Sequence, residues 1–253
     1  MAEPLASPLD PPPPETIADR LGAVSPAILL LRHSGRVEIG SSTLIRIGHR
    51  FLLATAGHAI DDAGDHEIRV VASGRTAAEP LPFVRRSRRR RGDADLAWIE
   101  LGAETVASRG LGFVGLAALG PDGLPEAERC FLVQGYPAER ALAASLAAFD
   151  LRAMGFVTVA AAARPGDVVV LYPPPAAPAA AQAPHPYGIS GGGIWTCPRG
   201  PTAAAWQGTT RLVGVARGWR RWRRTLHATP IEEWLARVAA DFPDLRQVLE
   251  KRR

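Results

Sequence analysis

The sequence predicts an all-β protein that ends in one α-helix. Three observations carry this. The 253 residues include 25 glycines and 23 prolines, a load of chain breakers that suits many turns and short strands. The apolar residues come in short runs bounded by glycine or polar clusters. Only the end of the chain has a clear helix signature: Thr229 and Glu232 have capping-box spacing, Pro230 suits a first turn, and Ile231, Trp234, Leu235 and Val238 recur on one face.

Residues 1–22 form a tail with Pro11 to Pro14 in polyproline style. Structure is expected from Ala23. Ala27 to Leu31 is a buried-strand run, and Gly40 to Ile47 and Phe51 to Ala56 form a hairpin across Gly48, His49 and Arg50. His58 falls where the second of these strands ends. Glu67 to Val71 and Leu81 to Val84 are further strands. Arg85 to Arg91 is expected to be an exposed loop, because like charges at that density repel. Asp95 then opens the strand Leu96 to Leu101.

Residues 102 to 128, rich in glycine, read as a linker and crossover. They divide a first half-domain, 23–110, from a second, 111–228, with the helix in 229–253. The second half has strands at Cys130 to Gly135, within 151–161, at Asp167 to Tyr172, at Gly193 to Cys197 and at Arg211 to Ala216. Pro173 to Pro184 is a low-complexity surface loop.

Net charge is +5, and Lys251 is the only lysine among 30 basic residues. So strong an arginine bias can reflect base composition, so clusters say more than totals. Two stand out, at 85–91 and 217–224, the second interleaved with Trp219 and Trp222. They suit solvated loops, with binding of nucleic acid or an acidic partner as the sharper alternative. No apolar run has membrane-span length, so no membrane partner is expected. Met1 to Pro14 lacks a basic region followed by an apolar core, and two cysteines, Cys130 and Cys197, make no disulfide framework. A cytoplasmic location is the expectation. The cysteines read as small buried hydrophobes, with a bridge left open. No residues have metal-ligand spacing and no phosphate loop is present, so neither a metal nor a cofactor is expected.

The chemistry-bearing residues come in the order His58, Asp95, Ser190. Ser190 stands in Gly188-Ile189-Ser190-Gly191-Gly192-Gly193, a backbone that must turn sharply before entering a strand. A serine hydroxyl is a weak nucleophile until a base takes its proton. Histidine does this near neutral pH, and a carboxylate on its other nitrogen fixes the tautomer. Asp95 suits that task, and Asp93 competes, since two strand residues apart share a face. The N–H groups of Gly188 and Ser190 are candidate oxyanion donors, each worth about 3–4 kcal/mol where such donors have been removed. Gly191 and Gly192 would let a substrate backbone pass close.

These residues resemble the trypsin/chymotrypsin-like serine peptidases. Thr55-Ala56-Gly57-His58 looks like that family's base motif, Asp95-Leu96-Ala97 like its aspartate motif, and Gly188-Ile189-Ser190-Gly191-Gly192 like its nucleophile motif. Leu212 to Val215 and the terminal helix also have counterparts. The resemblance spans residues 23 to about 245. It implies two six-stranded antiparallel β-barrels of the chymotrypsin type with the triad between them, 23–110 carrying His58 and Asp95 and 111–228 carrying Ser190. It implies a serine endopeptidase, a hydrolase that works through an acyl-enzyme.

The sequence departs from the family in two places. Ile189 stands where zymogen-activated members have an aspartate, which points to a non-zymogen, bacterial-type protein governed by a partner protein or by conformational ordering. Gly193 replaces a usual proline, which is expected to loosen the turn. By resemblance, His185, Ala216, Arg217, Gly218 and His227 border the substrate pocket. Pro184 stands at its base, where a carboxylate would select Arg or Lys, so small apolar or acidic side chains are expected there. Two other functions fit the same residues: a binding module of this fold that acts through its arginine-rich loops, and an esterase.

Overall fold

The apolar runs of the first half all become strands: β1 (Ala27–Leu31), β2 (Val37–Ser41), β3 (Thr43–Ile47), β4 (Arg50–Thr55), β5 (Ile68–Val71), β6 (Phe83–Arg86) and β7 (Ala97–Leu101). The structure, a computed structural model, describes residues 21–31, 37–61, 63–75, 80–87, 94–120, 129–138, 151, 153–161, 168–172, 185–198 and 210–252. Residues 1–20 of the polyproline tail, Arg88 to Asp93, and the loop from 173 to Pro184 lie outside the described residues, while Leu21 to Ala23 form a helical turn.

One sheet has the order β2-β1-β5 and another begins β6-β7-β4-β3. They join at both ends. A bridge between Val70 and Leu81 ties β5 to the segment entering β6, and Ser42 alone separates β2 from β3. The result is a curled sheet closed around Ile28, Leu30, Leu44, Leu53, Val70 and Ile99. The continuous apolar run of β1 is explained by burial on both faces. Ile28 and Leu30 face that core, while Ala27 and Leu29 pack with Tyr136 and Leu151 of the second half.

The second half forms one six-stranded sheet of β9 (Arg129–Gly135), β10 (Met154–Thr158), β11 (Val168–Leu171), β12 (Gly193–Pro198), β13 (Arg211–Arg220) and β14 (Thr225–Pro230), in the order β10-β9-β12-β13-β14-β11. An antiparallel bridge from Ala160 to Val170 brings the end of β10 back to β11 and closes the curl. Phe131, Val133, Val170, Ile189, Ile194 and Leu226 fill it. Cys130 is buried and stands opposite Cys197 in the β9–β12 ladder.

Three expectations need correction. The segment after β7 is not a bare linker: it holds a helix, α1 (Ala103–Ser108), and a short strand, β8 (Val114–Gly115), which runs parallel to β3. The arginine run is not wholly exposed. Arg86 is buried because its guanidinium is satisfied on all sides, by Asp65 at 2.7 Å, the Ile60 carbonyl at 2.7 Å and the Ala63 carbonyl. Arg85 lies over the Trp98 and Phe242 rings and bonds Glu100 at 2.7 Å.

The third concerns the terminal helix. Thr229 does not cap it. Thr229 is still in β14, paired with Val215, and its hydroxyl is buried without a hydrogen bond. The cap position falls one residue later, at Pro230, so the Thr229–Glu232 spacing is out of register for a capping box. The helix α2 (Ile231–Asp241) also stops well short of the chain's end. Pro243 removes a backbone donor and forces Phe242 out of helical geometry, and a 3-10 turn and a short helix, α3 (Arg246–Glu250), follow. The apolar face is the one the helical spacing predicts. Ile231, Trp234, Leu235 and Val238 are buried, and the Trp234 indole N–H donates to the Ala97 carbonyl at 2.9 Å. A helix that leaves the second barrel thus braces β7 of the first, two residues beyond Asp95.

Arg50 fastens the far end of this strap. Its guanidinium bonds Glu100 at 2.6 Å and Asp244 at 3.0 Å. The hydrogen bond from Arg50 holds the Asp244 carboxyl below its ordinary range. A depressed folded-state value contributes stability above the unfolded carboxylate range and loses it as pH falls through the folded value. Asp244→Asn should therefore show a shallower loss of stability than the parent between about pH 5 and about pH 2. Urea midpoints measured across that range check this, and identical acid slopes would count against it.

Candidate active site

The three residues of interest come from three different local structures. His58 lies in a 3-10 turn, Gly57–Ala59, that ends β4. Asp95 precedes β7, which pairs with β4 so that Thr55 faces Ala97. That ladder brings the two side chains together across 37 residues of sequence. Asp95 Oδ1 accepts the His58 main-chain N–H at 2.8 Å, and Oδ2 lies 2.7 Å from the ring Nδ1. Both carboxylate oxygens thus serve one histidine. An ionised carboxylate only accepts, so the contact places a proton on Nδ1 and leaves Nε2 able to accept one. The His58 side chain is 47% exposed, and that of Asp95 only 22%. The carboxylate is thus the more sheltered partner of the pair.

Ser190 lies at the seam between the two curled sheets. Its carbonyl accepts the Ser41 N–H at 2.8 Å. A side chain on Gly40 would meet Ala59, next to His58, at 3.3 Å and the Ser190 carbonyl at 3.7 Å. The turns that carry the histidine and the serine are thus within one residue's breadth.

Sequence reasoning missed Ser41. Its hydroxyl donates to the Gly188 carbonyl at 2.7 Å and accepts the Tyr136 N–H at 2.9 Å, while its own carbonyl accepts from the Thr55 hydroxyl at 2.8 Å. One residue of the first barrel thus clasps both ends of the Gly188–Ser190 turn of the second. The available signal was Ser41-Ser42-Thr43, three consecutive hydroxyl residues inside an apolar strand pair. All three are buried.

The turn also sets where the Gly188 N–H points. The Tyr187 carbonyl accepts the Ala138 N–H at 2.7 Å. In a trans peptide the N–H points opposite its carbonyl, so the Gly188 N–H faces away from Ala138. The neighbouring Ile189 N–H turns inward to the Pro186 carbonyl at 3.1 Å. Among the described residues, no backbone carbonyl takes the N–H of Gly188 or Ser190.

The geometry of the turn calls for its glycines. Gly188 and Gly191 adopt φ +93 and +90, a region that glycine alone enters readily. A side chain on Gly191 would run into the Ser41 carbonyl and the Thr55 hydroxyl, and one on Gly192 into the Gln134 carbonyl. The nearest atoms to both positions are carbonyl oxygens of the protein's own backbone. Gly193 lies within β12, paired with Val215, and a side chain there would be 2.5 Å from the Trp195 indole nitrogen and 3.0 Å from Leu212. Ile189 is fully buried among the apolar residues of the second barrel, where an aspartate would need a charged partner.

Four of the five residues expected at the substrate pocket, Ala216, Arg217, Gly218 and His227, lie on β13 and β14. Ala216 exchanges hydrogen bonds with Gly191 and Gly192 at 2.7 and 2.8 Å. Arg217 is the extra residue of a bulge, and Gly218 stands opposite His227. The His227 Nε2 lies 3.1 Å from the Thr225 hydroxyl. His185 is exposed, meets the Trp219 ring edge-on at 5.0 Å and accepts the Tyr187 N–H at 3.3 Å. Among the described residues, no three His, Cys, Asp or Glu side chains are grouped to hold a metal, and no helix is long and apolar enough to cross a membrane.

The two curled β-sheets and the helix that straps them have the fold of the trypsin/chymotrypsin-like serine proteases. Among solved structures the chain is similar to a scabies mite inactivated protease paralogue, at 15% identity and a TM-score of 0.54 over 88% of this chain and 95% of that one. It is similar to a protease from M. tuberculosis in its active form, at 14% and 0.52 over 94% and 93%. A serine endoprotease from Yersinia pestis matches at 15% and 0.54 over 94% and 67%. No protein-family model and no curated protein matches the chain.

Proposed function

We propose that the chain is a serine endopeptidase that uses Ser190 as nucleophile, His58 as base and Asp95 as the carboxylate that orients it. Fold alone does not carry this, because the neighbours include both an active protease and an inactivated paralogue. The observation that does is the two-oxygen grip of Asp95 on His58, at 2.8 and 2.7 Å, which commits the ring to one tautomer with Nε2 left to accept a proton. A histidine kept only for packing has no need of it.

In this reading the Ser190 hydroxyl attacks a peptide carbonyl carbon as its proton passes to His58 Nε2. The carbonyl oxygen takes up negative charge opposite the N–H groups of Gly188 and Ser190. His58 then returns the proton to the departing amine. Water attacks the acyl-serine by the same route, its proton passing to His58, and Ser190 Oγ leaves protonated. A partner protein that shifts the Tyr187–Gly188 peptide would govern the rate, since that peptide aims one of the two donors.

The test is labelling by a fluorophosphonate, which reacts only with an activated serine. The full chain should label at Ser190, and Ser190→Ala and His58→Ala should not. An unlabelled wild-type chain would falsify the reading in favour of a binding module. Faster turnover of esters than of peptides across matched substrates would move it to an esterase.

A further inference from the structure

The strand β13 changes character at Ala216. It is paired with β12 from Arg211 to Val215 and with β14 from Gly214 onward, so Gly214 and Val215 are flanked on both sides. Beyond Val215 the chain of β12 has departed into the Ser190 turn, while the β14 ladder continues through Gly218–His227, Trp219–Leu226 and Arg220–Thr225. Gly218, Trp219 and Arg220 thus have a strand on one side and, among the described residues, none on the other. An open edge of this kind accepts an extended chain through main-chain hydrogen bonds.

The direction of such a chain follows from β12. That strand is antiparallel to β13 on the same side, so an added antiparallel strand runs from Arg220 toward Ala216. Its C-terminal end then reaches the Ser190 turn, because Ala216 is bonded to Gly191 and Gly192. At about 3.3 Å per residue, the residues before the bond opposite Ser190 lie along Gly218 to Arg220 and then under the hairpin tip.

That tip is cationic. Arg217, Arg220, Arg221, Arg223 and Arg224 fall within eight residues that contain no acid. Arg220 to Arg224 are exposed, and Trp222 among them is 80% exposed. The charges are not on a slack loop. A 3-10 turn over Arg221–Arg223 and a left-handed Arg224, φ 51, close the hairpin. The Arg224 carbonyl accepts the Tyr172 N–H at 2.9 Å, and Trp219 packs against Tyr172 and His185.

We propose that this hairpin selects extended peptide substrates with acidic side chains on the N-terminal side of the cleaved bond, beginning about three residues before it. The scissile-bond position rests on the peptidase reading above; the binding of acidic peptide does not. An exposed tryptophan among arginines also suits single-stranded nucleic acid. The open main-chain edge favours peptide, since nucleic acid has no amides to pair with it.

Binding is measured with the full-length Ser190→Ala chain and fluorescein-labelled peptides of one composition. One peptide carries an aspartate–glutamate cluster near its N-terminus, one carries it near its C-terminus, and a third replaces the acids with glutamines. Single-stranded DNA is a fourth probe. The first peptide should bind about tenfold more tightly than the other two, with the advantage shrinking as salt rises. The combined variant Arg220→Glu, Arg221→Glu and Arg223→Glu, folded by circular dichroism, should reverse the preference toward a lysine-rich peptide. Equal affinity for the three peptides, tighter binding of DNA, or an unreversed preference in the folded variant would each overturn the proposal. If the acidic peptide binds as expected while wild-type chain neither labels nor cleaves it, the peptidase reading alone falls.

Discussion

Asp95→Asn is expected to slow turnover by about four orders of magnitude while leaving the fold intact. The amide can occupy the same space and still accept the His58 main-chain N–H through its oxygen, a bond now 2.8 Å long. Its NH2 group then faces Nδ1, 2.7 Å away, and donates where the carboxylate accepted. The imidazole must place its proton on Nε2 instead, and Nε2 can no longer take the serine proton. The imidazolium that forms in the reaction also loses its counter-charge. Two measurements separate this from damage to the fold: peptide turnover, expected to collapse, and the thermal midpoint, expected to move by a few degrees at most. A variant with undiminished turnover would remove Asp95 from the proposed mechanism and turn attention to Asp93.

Gly191→Ala is expected to destabilise the protein by about 3 kcal/mol or more. Two costs coincide there. The residue has φ +90, and its missing side chain is the space that the Ser41 carbonyl and Thr55 hydroxyl occupy. The nearer obstruction, the Ser41 carbonyl, is main chain of the first half, so no rotamer change relieves it. Gly110→Ala separates the costs. Gly110 has φ +61 and open space around its Cα, so alanine there should cost only the conformational share, about 1–2 kcal/mol. Urea unfolding of both variants checks this, and equal losses would mean the seam yields more readily than its geometry implies. The Gly191 variant should also lose fluorophosphonate labelling, because the turn that it distorts carries Ser190.

Much of the fold was legible along the chain. The runs Ala27 to Leu31, Glu67 to Val71 and Cys130 to Gly135 became strands because apolar runs bounded by turns have few other ways to be buried. The face of α2 was legible because Ile231, Trp234, Leu235 and Val238 repeat at helical spacing. What failed was each inference that needed a neighbour. A Thr-x-x-Glu spacing predicts a cap, but sheet pairing keeps Thr229 in β14 and moves the helix start by one residue. A run of arginines predicts solvent, but Arg86 finds one carboxylate and two carbonyls that no local pattern announces.

The same division holds at the site. The sequence by itself supplied the residue types and their order, a histidine after a strand, an aspartate before one and a serine among glycines, since backbone conformation and side-chain chemistry are local properties. Only the tertiary structure decided how they meet. The β4–β7 ladder brings Asp95 to His58, and Ser41 holds the turn of Ser190 from the opposite barrel. Nor could the chain alone say what the glycines make room for, because clearance is set by whatever backbone packs opposite. At Gly191 and Gly192 that backbone is the protein's own.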